Sequence, residues 1–398
     1  MSDFKMELSR DIVFILDKMK AVGYEAHVVG GSVRDSIIGR ELGDCDITTN
    51  ALPEETKAVF ADYRTVDTGI KHGTVTLVLD GIPYEITTYR VDGDYKDNRH
   101  PESVTFTTRL EDDLSRRDFT VNAMAYNPDL GLCDPFGGRA DAAALLIRAV
   151  GDPYRRFDED ALRILRALRF ASVLGFEIEA TTARAVRERA RLLVSISKER
   201  IYTELKKLLM GIDATRILTE YAEVIAPLLS GLEIKKLPER ALFDRADIYT
   251  RFAALFMLNS DSPREHSGRA FAELKTDKLT RSRVCDAIVA YSRVDFSDER
   301  AALTALADFC ETVSRDALSL GILLGRFDST DIETLDSALA SGKPYTIAAL
   351  AVRGGDVAAI GYRGERIGEA LRTLLYAVID GKVENDKAKL IEYLKGCS

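Results

Sequence analysis

The apolar positions of the first third of the chain change period repeatedly, and each change marks an element. Within residues 4–23, Ile12, Ile15, Leu16 and Met19 recur at helical spacing and the run stops at Gly23, which predicts an amphipathic helix packed on a sheet. Ala26-His27-Val28-Val29 then has strand character, ended by Gly30-Gly31. Val33, Ile37 and Ile38 describe a short helix with Ser32 as its N-cap and Gly39 as its stop. Another helix begins within residues 51–56, with Pro53 near its first turn. Thr74-Val75-Thr76-Leu77-Val78-Leu79 reads as a strand, Asp80-Gly81 as a two-residue hairpin turn, and residues 82–89 as the returning strand. On that strand Tyr84, Ile86 and Thr88 share one face, and Glu85 and Thr87 the other. Residues 90–101 are polar and charged without a core face, the pattern of a hydrophilic surface loop.

Glycine and proline in residues 134–141 mark the end of the sheet-bearing part, and beyond Gly151 the pattern is almost wholly helical. Residues 158–171 predict an amphipathic helix whose acidic start suits its dipole and whose arginines, Arg163, Arg166 and Arg169, recur every third residue. Residues 197–210 give another helix, closed by Gly211. Residues 212–327 are helical and dominated by Ala, Leu and Arg, and residues 346–394 carry glycine turns leading into helices. The fold class is therefore α+β: a small mixed β-sheet head over residues 1–140, followed by all-α segments over 141–211, 212–327 and 328–398.

A chain of 398 residues with 46% hydrophobic content has room for two to four modules around a sizeable core. No stretch approaches the roughly 18 uninterrupted apolar residues of a membrane span, and Met1-Ser2-Asp3-Phe4-Lys5 lacks the apolar core of a signal peptide, so a cytoplasmic protein without membrane contact is expected. The five cysteines show no Cys-x-x-Cys pairing, which suits a reducing compartment and argues against structural zinc. With four histidines and no His-Asp doublet, phosphohydrolase chemistry has no ligands, and each lone histidine reads as structural. The net charge of −9 argues against indiscriminate nucleic-acid binding, so any RNA contact must use local basic surfaces.

Chemistry concentrates in residues 30–47. A glycine pair lets backbone approach an anion that a side chain would keep away, and the first amides of the helix after it, with Ser32 and Arg34, complete a cradle for a triphosphate at Gly30 and Gly31. In Gly43-Asp44-Cys45-Asp46-Ile47 the two carboxylates project from one face of an extended strand and Cys45 and Ile47 from the other, so Asp44 and Asp46 can hold Mg²⁺. Glu85 is placed to be a third carboxylate at a second metal, although a strand glutamate is as often simply solvated.

Gly30-Gly31-Ser32-Val33-Arg34-Asp35 followed by Gly43-Asp44-Cys45-Asp46-Ile47 resembles the signature of the DNA polymerase β-like nucleotidyltransferases. The likeness is to their branch of class II CCA-adding tRNA nucleotidyltransferases and bacterial poly(A) polymerases. Arg116-Arg117-Asp118-Phe119-Thr120-Val121-Asn122-Ala123 resembles that family's second motif, in which an Arg-Asp pair reads the ribose. The resemblance gives Arg117 and Asp118 this role, and acceptance from a 2′-hydroxyl by the aspartate favours ribonucleotides. The Glu-Asp-x-x-Arg-x-x-Arg pattern of Glu159, Asp160, Arg163 and Arg166 resembles the motif that serves as a protein template for the incoming base. Cytosine and adenine both present an amino donor beside a ring acceptor, so Asp160 as acceptor and Arg163 as donor fit both, while uracil and guanine reverse the polarity. Arg166 and Arg169 lie further along and could contact phosphate or orient the pair. A plain ion pair between Asp160 and Arg163, helical neighbours at i, i+3, is the structural alternative.

What the resemblance implies is Mg²⁺-dependent addition and repair of the 3′-terminal CCA of tRNA from CTP and ATP, without a nucleic-acid template and with release of pyrophosphate. The protein would act as a monomer or homodimer. Residues 90–101 correspond to a flexible lever in the switch from C to A, with Asn98 and His100 where the family usually carries His and Arg. Rival activities are A-only addition, CC-only addition and poly(A) polymerisation; a non-catalytic RNA-binding scaffold would predict damaged carboxylates. Lys198, Arg200, Lys206 and Lys207, and the glycine turns of the tail, are candidate RNA contacts that ordinary solvated helix faces and helix packing explain equally well.

Overall fold

The computed structural model describes residues 4–93 and 104–396. The chain divides into two compact units, Met1–Val224 and Ile225–Ser398. In the first, α1 (Arg10–Ala21) leads into β1 (Ala26–Val29), α2 (Gly31–Ile37), β2 (Asp46–Thr49) and α3 (Pro53–Val59). There follow β3 (Arg64–Gly69), β4 (Thr74–Leu79), β5 (Ile82–Thr88), β6 (Arg90–Asp92), β7 (Val104–Phe106), α4 (Leu110–Ser115), β8 (Ala125–Asn127), β9 (Gly131–Cys133) and α5 (Gly138–Ala143). Seven strands form one sheet in the order β3-β4-β5-β2-β1-β8-β9. The β2–β5 pair is parallel and the others are antiparallel, so the sheet is mixed as its sequence pattern requires.

The apolar face of α1, Ile12, Ile15, Leu16 and Met19, is buried with Val28, Ile47, Leu77 and Ile86 from the central strands. Side chains burying this way contribute roughly 1.5–3 kcal/mol each, which fixes the register of β2 and β5 from below. Alternation then leaves Asp46 and Glu85 exposed on the other face. The strand β3 has no sequence counterpart because Arg64-Thr65-Val66-Asp67-Thr68-Gly69 lacks an apolar alternation. Of the expected polar loop, Arg90–Asp92 is instead a short strand paired with Val104–Phe106, while residues 94–103, including Asn98 and His100, lie outside the described residues.

His27 is buried on β1 and shares a hydrogen bond of 2.9 Å with the Tyr89 hydroxyl. Desolvation pushes its imidazole down to about 4, so the folded state holds it neutral. The unfolded chain takes up this proton near pH 6.5, so the contribution is complete above that pH and is lost as the pH falls toward 4. His27 should therefore cost up to about 3 kcal/mol of unfolding free energy across that window. Urea unfolding of wild type and His27→Gln between pH 7 and 4 checks this. The variant should have a visibly flatter pH dependence, and an equal slope would contradict the assignment.

The helical remainder of this unit includes α6 (Pro153–Glu159), α7 (Leu162–Leu174), α8 (Ala180–Arg189) and α9 (Lys198–Leu209), with a two-residue parallel strand pair, Leu146–Ile147 and Glu177–Ile178. The single helix expected over residues 158–171 is two helices. Asp160 leaves the helical region, with φ −135° and ψ 103°, and ends α6. Helices α7 and α9 approach so closely that a Cβ on Gly211 would lie 2.1 Å from Ser172 Oγ, and only glycine fits there.

Among its described residues the second unit has helices and no strand. Its core gathers Leu303, Leu306, Leu318, Leu335, Leu374 and Leu390. The long helix Glu299–Leu323 is kinked at Cys310, and Ser314 donates to the Ala305 carbonyl at 3.1 Å across the kink.

Candidate active site

Gly30 makes the turn from β1 into α2. Its φ of +79° is open to glycine, its N–H donates to Met124 O at 3.1 Å, and its own carbonyl accepts from Arg34 N–H. Gly30 is consequently the N-cap, and Ser32, expected there, lies inside the first turn with its hydroxyl 3.4 Å from Asp44 O. A Cβ on Gly30 would sit 3.1 Å from an Arg117 nitrogen and one on Gly31 3.5 Å from an Arg34 nitrogen, so the glycine pair is where two guanidiniums converge. Arg34 is buried, bidentate to Asp35 at 2.9 and 3.0 Å, and donates to Asn122 Oδ1 at 2.6 Å.

These groups line a cavity of about 470 Å³ that contains seven arginines against three aspartates, Asp46, Asp118 and Asp160. The excess of positive charge is local, since the whole chain carries −9. Asp46 also lines a second cavity of about 450 Å³, together with Asp44, Glu85, Tyr84, Leu8 and Ile12. Asp44 precedes β2 and Asp46 begins it; both are exposed while Ile47 is buried, the alternation that the pattern predicts. Although the Asp46 carboxyl reaches solvent, partial desolvation and the neighbouring charge of Glu85 hold it above the ordinary carboxylate range, with Arg117 opposing. Hard oxygen donors whose mutual repulsion is only partly relieved suit a divalent cation, which would offset it.

Arg116, which the sequence did not single out, and Arg117, which it did, are organised by one buried acid. Asp113 of α4 is fully buried, accepts from Arg116 at 2.9 and 2.8 Å, and pairs with Arg117 at 3.3 Å. Burial alone would raise its carboxyl; Arg116 and Arg117 outweigh it and hold it below the usual range. The acidic run of α4 gave no sign of this partner. Asp118 is also buried and accepts three bonds, from Phe119 N–H at 2.9 Å, Asn122 at 3.2 Å and Arg166 at 2.7 Å. Arg166 and Asn122 overcome the burial penalty and keep Asp118 ionised. Asn122 links Asp118 to Arg34, and it was legible only as part of the stretch from Arg116 to Ala123.

Along α7, Arg163, Arg166 and Arg169 all line the cavity, as their spacing requires. Arg169 stands 3.0 Å from Glu204 of α9, with its guanidinium 3.9 Å from the Phe170 ring centroid. The alternative of a plain i, i+3 ion pair between Asp160 and Arg163 is not formed, because Asp160 lies in the break rather than on the helix. Arg163 donates instead to Glu159 at 2.8 Å, to Arg156 O at 3.3 Å and to Arg116 O at 2.9 Å. Three of its five N–H groups are thus committed, and the residue lines the cavity. Asp160 caps α7 by accepting from Leu162 N–H at 3.0 Å, and its other oxygen accepts from Arg200 of α9 at 3.2 Å.

Comparison with known proteins decides the family. The model described as "Poly A polymerase head domain" matches residues 26–148, "Probable RNA and SrmB- binding site of polymerase A" matches 175–224, and a tRNA nucleotidyltransferase domain 2 model matches 247–394. The CCA-adding enzyme of Geobacillus stearothermophilus is 40% identical over 96% of this chain and 95% of its own length. The chain belongs to the CCA-adding enzyme family. The CCA-adding enzyme of Streptococcus mutans is 36% identical, again over 96% of this chain and 95% of its own. Among solved structures, the Bacillus stearothermophilus CCA-adding enzyme in complex with CTP superimposes with a TM-score of 0.79 at 34% identity, covering 97% of this chain and 96% of that one. The α+β class, with its mixed sheet and helical continuation, is that of the CCA-adding enzymes. Among the described residues no helix is long and apolar enough to cross a membrane.

Proposed function

We propose that the basic cavity and the carboxylates at its edge add and repair the 3′-terminal CCA of tRNA, taking CTP and ATP in turn. The observation that carries this is that Asp46 borders a cavity in which seven arginines face three aspartates. That charge balance suits a nucleoside triphosphate beside a nucleotidyl-transfer centre. Asp44 and Asp46 would hold Mg²⁺; Glu85 lines the same cavity, although among the described residues no three such side chains are gathered closely enough to hold a metal together. Mg²⁺ bound there supplies Lewis-acid neutralisation of the triphosphate and lowers the pKa of the attacking hydroxyl. The arginines and glycine amides hold the triphosphate so that the tRNA 3′-oxygen forms a bond to the α-phosphorus. The bond from that phosphorus to the β-phosphate bridging oxygen breaks, and pyrophosphate leaves.

Gly30, Gly31, Ser32 and Arg34 bind the triphosphate in this scheme, Arg117 and Asp118 the ribose end, and Asp160 with Arg163 the base. Arg166 orients Asp118, and Arg169 anchors α7 against Glu204. Residues 1–140 act as catalytic head, 141–211 as base-reading neck, 212–327 as body and 328–398 as tRNA-binding tail, in a cytoplasmic monomer or homodimer. Replacing Arg117 by Ala should narrow the preference for CTP over dCTP, because a donor at the ribose edge is lost. Specificity constants for both nucleotides check this, and an unchanged ratio would remove the assignment.

The activity is tested with tRNAs lacking CCA, CA or A, each supplied with CTP, ATP or both. Completion of all three substrates is expected only with both nucleotides, and completion of the last with ATP alone. Extension limited to the last substrate would indicate A-only addition, and long adenylate tails would indicate poly(A) polymerisation.

A further inference from the structure

We propose that Arg200 is a positioning residue for base selection, holding the Asp160 carboxylate as an acceptor turned toward the incoming base. The proposal rests on the assignment of Asp160 and Arg163 as the base-reading pair. Asp160 occupies the break between α6 and α7; its backbone is held by its N–H to Arg156 O and by Arg163 N–H to its own carbonyl, and neither bond fixes its side chain. Its contact with Leu162 N–H fixes one oxygen but leaves the carboxylate plane free to swing about that point. Arg200, in the first turn of α9, donates to the second oxygen at 3.2 Å and removes that freedom.

The support behind Arg200 is stiff. The close approach of Gly211 to Ser172 and the ion pair of Arg169 with Glu204 lock α9 against α7, the helix that also carries Arg163. Arg200 thereby ties the acceptor to the same rigid pair of helices as the donor. Its Nη1 is buried without a hydrogen-bond partner among the described residues, so this nitrogen gives the guanidinium no second anchor. The contact also sets polarity. Arg200 brings only donors to the carboxylate, which is an acceptor, so Asp160 receives an amino group and opposes a carbonyl. Cytosine and adenine meet the first condition, and uracil and guanine the second.

The test compares the CTP:UTP ratio of specificity constants on tRNA lacking CCA for wild type, Arg200→Met, Arg200→Lys, Asp160→Ala and the double variant Arg200→Met/Asp160→Ala. Arg200→Met should lower the ratio on the order of tenfold, Arg200→Lys should recover part of it by restoring charge, and the double variant should be no less selective than Asp160→Ala alone. A role in helix packing alone would depress both nucleotides equally and leave the ratio unmoved. If Asp160→Ala lowers the ratio while Arg200→Met keeps the wild-type value, this proposal fails and the base-reading pair stands. If Asp160→Ala itself leaves the ratio unchanged, the base-reading assignment fails. Should Arg200→Met not fold, Arg200→Gln, which keeps one donor without charge, is read in its place: a fall of a few fold supports the proposal, and a wild-type ratio overturns it.

Discussion

Asp46→Ala is expected to lower the rate of nucleotide incorporation at least about a thousandfold, equivalent to roughly 4 kcal/mol in the transition state. The carboxylate stands where the two cavities meet, and its side chain is exposed at the first residue of β2. The neighbouring Ile47 carries the packing, so truncation at 46 removes charge without opening the core. The partial desolvation and the repulsion with Glu85 that together raise the Asp46 carboxyl disappear too, so thermal stability should stay level or rise. Single-turnover incorporation, thermal midpoint and tRNA affinity should be measured together. A thousandfold slower reaction with the other two near wild type is the expected result, and turnover within tenfold of wild type would remove Asp46 from the reaction. Asp44→Ala should behave similarly.

Asp160→Ala is expected to reduce kcat/KM for CTP and for ATP by one to two decades each. Losing a charge-assisted hydrogen bond in a partly desolvated site costs on the order of 1.5–3 kcal/mol. The same substitution removes the cap on Leu162 N–H and strips Arg200 of its acceptor, which should lower stability by about 1 kcal/mol. That structural cost bears on every nucleotide alike. Steady-state kinetics with both nucleotides, on tRNAs ending at the discriminator base and at CC, would show the parallel loss; unimpaired use of either would contradict the role.

The elements were legible wherever one face is buried. Ile12, Ile15, Leu16 and Met19 gave α1, and the alternation in β4 and β5 gave the hairpin with its turn at Asp80 and Gly81, both at positive φ. Strand β3 escaped because it lacks an apolar stripe. The break at Asp160 escaped because Phe157, Ala161, Leu162 and Leu165 keep an apolar pattern across it, and a side-chain cap on Leu162 N–H has no periodic trace. The candidate site divides in the same way. Residues bearing glycine turns, paired carboxylates or regular arginine spacing were visible locally. Asp113, Asn122, Glu204 and Arg200 act through partners brought together by folding, from as little as three residues away for Asp113 and Arg116 to 88 for Asn122 and Arg34. Sequence spacing cannot reveal the distant pairs, and the near ones look like ordinary surface charge.

The central claim, that protein side chains read the edge of the incoming base, is tested most directly by one ratio. Specificity constants for CTP and UTP on tRNA lacking its whole CCA end are compared between wild type and Asp160→Ala. The ratio should fall by about one to two decades, because cytosine loses its acceptor while uracil, whose carbonyl faced that carboxylate, loses little or gains. A ratio that stays at the wild-type value while both rates drop together would make Asp160 a structural cap and place base selection elsewhere.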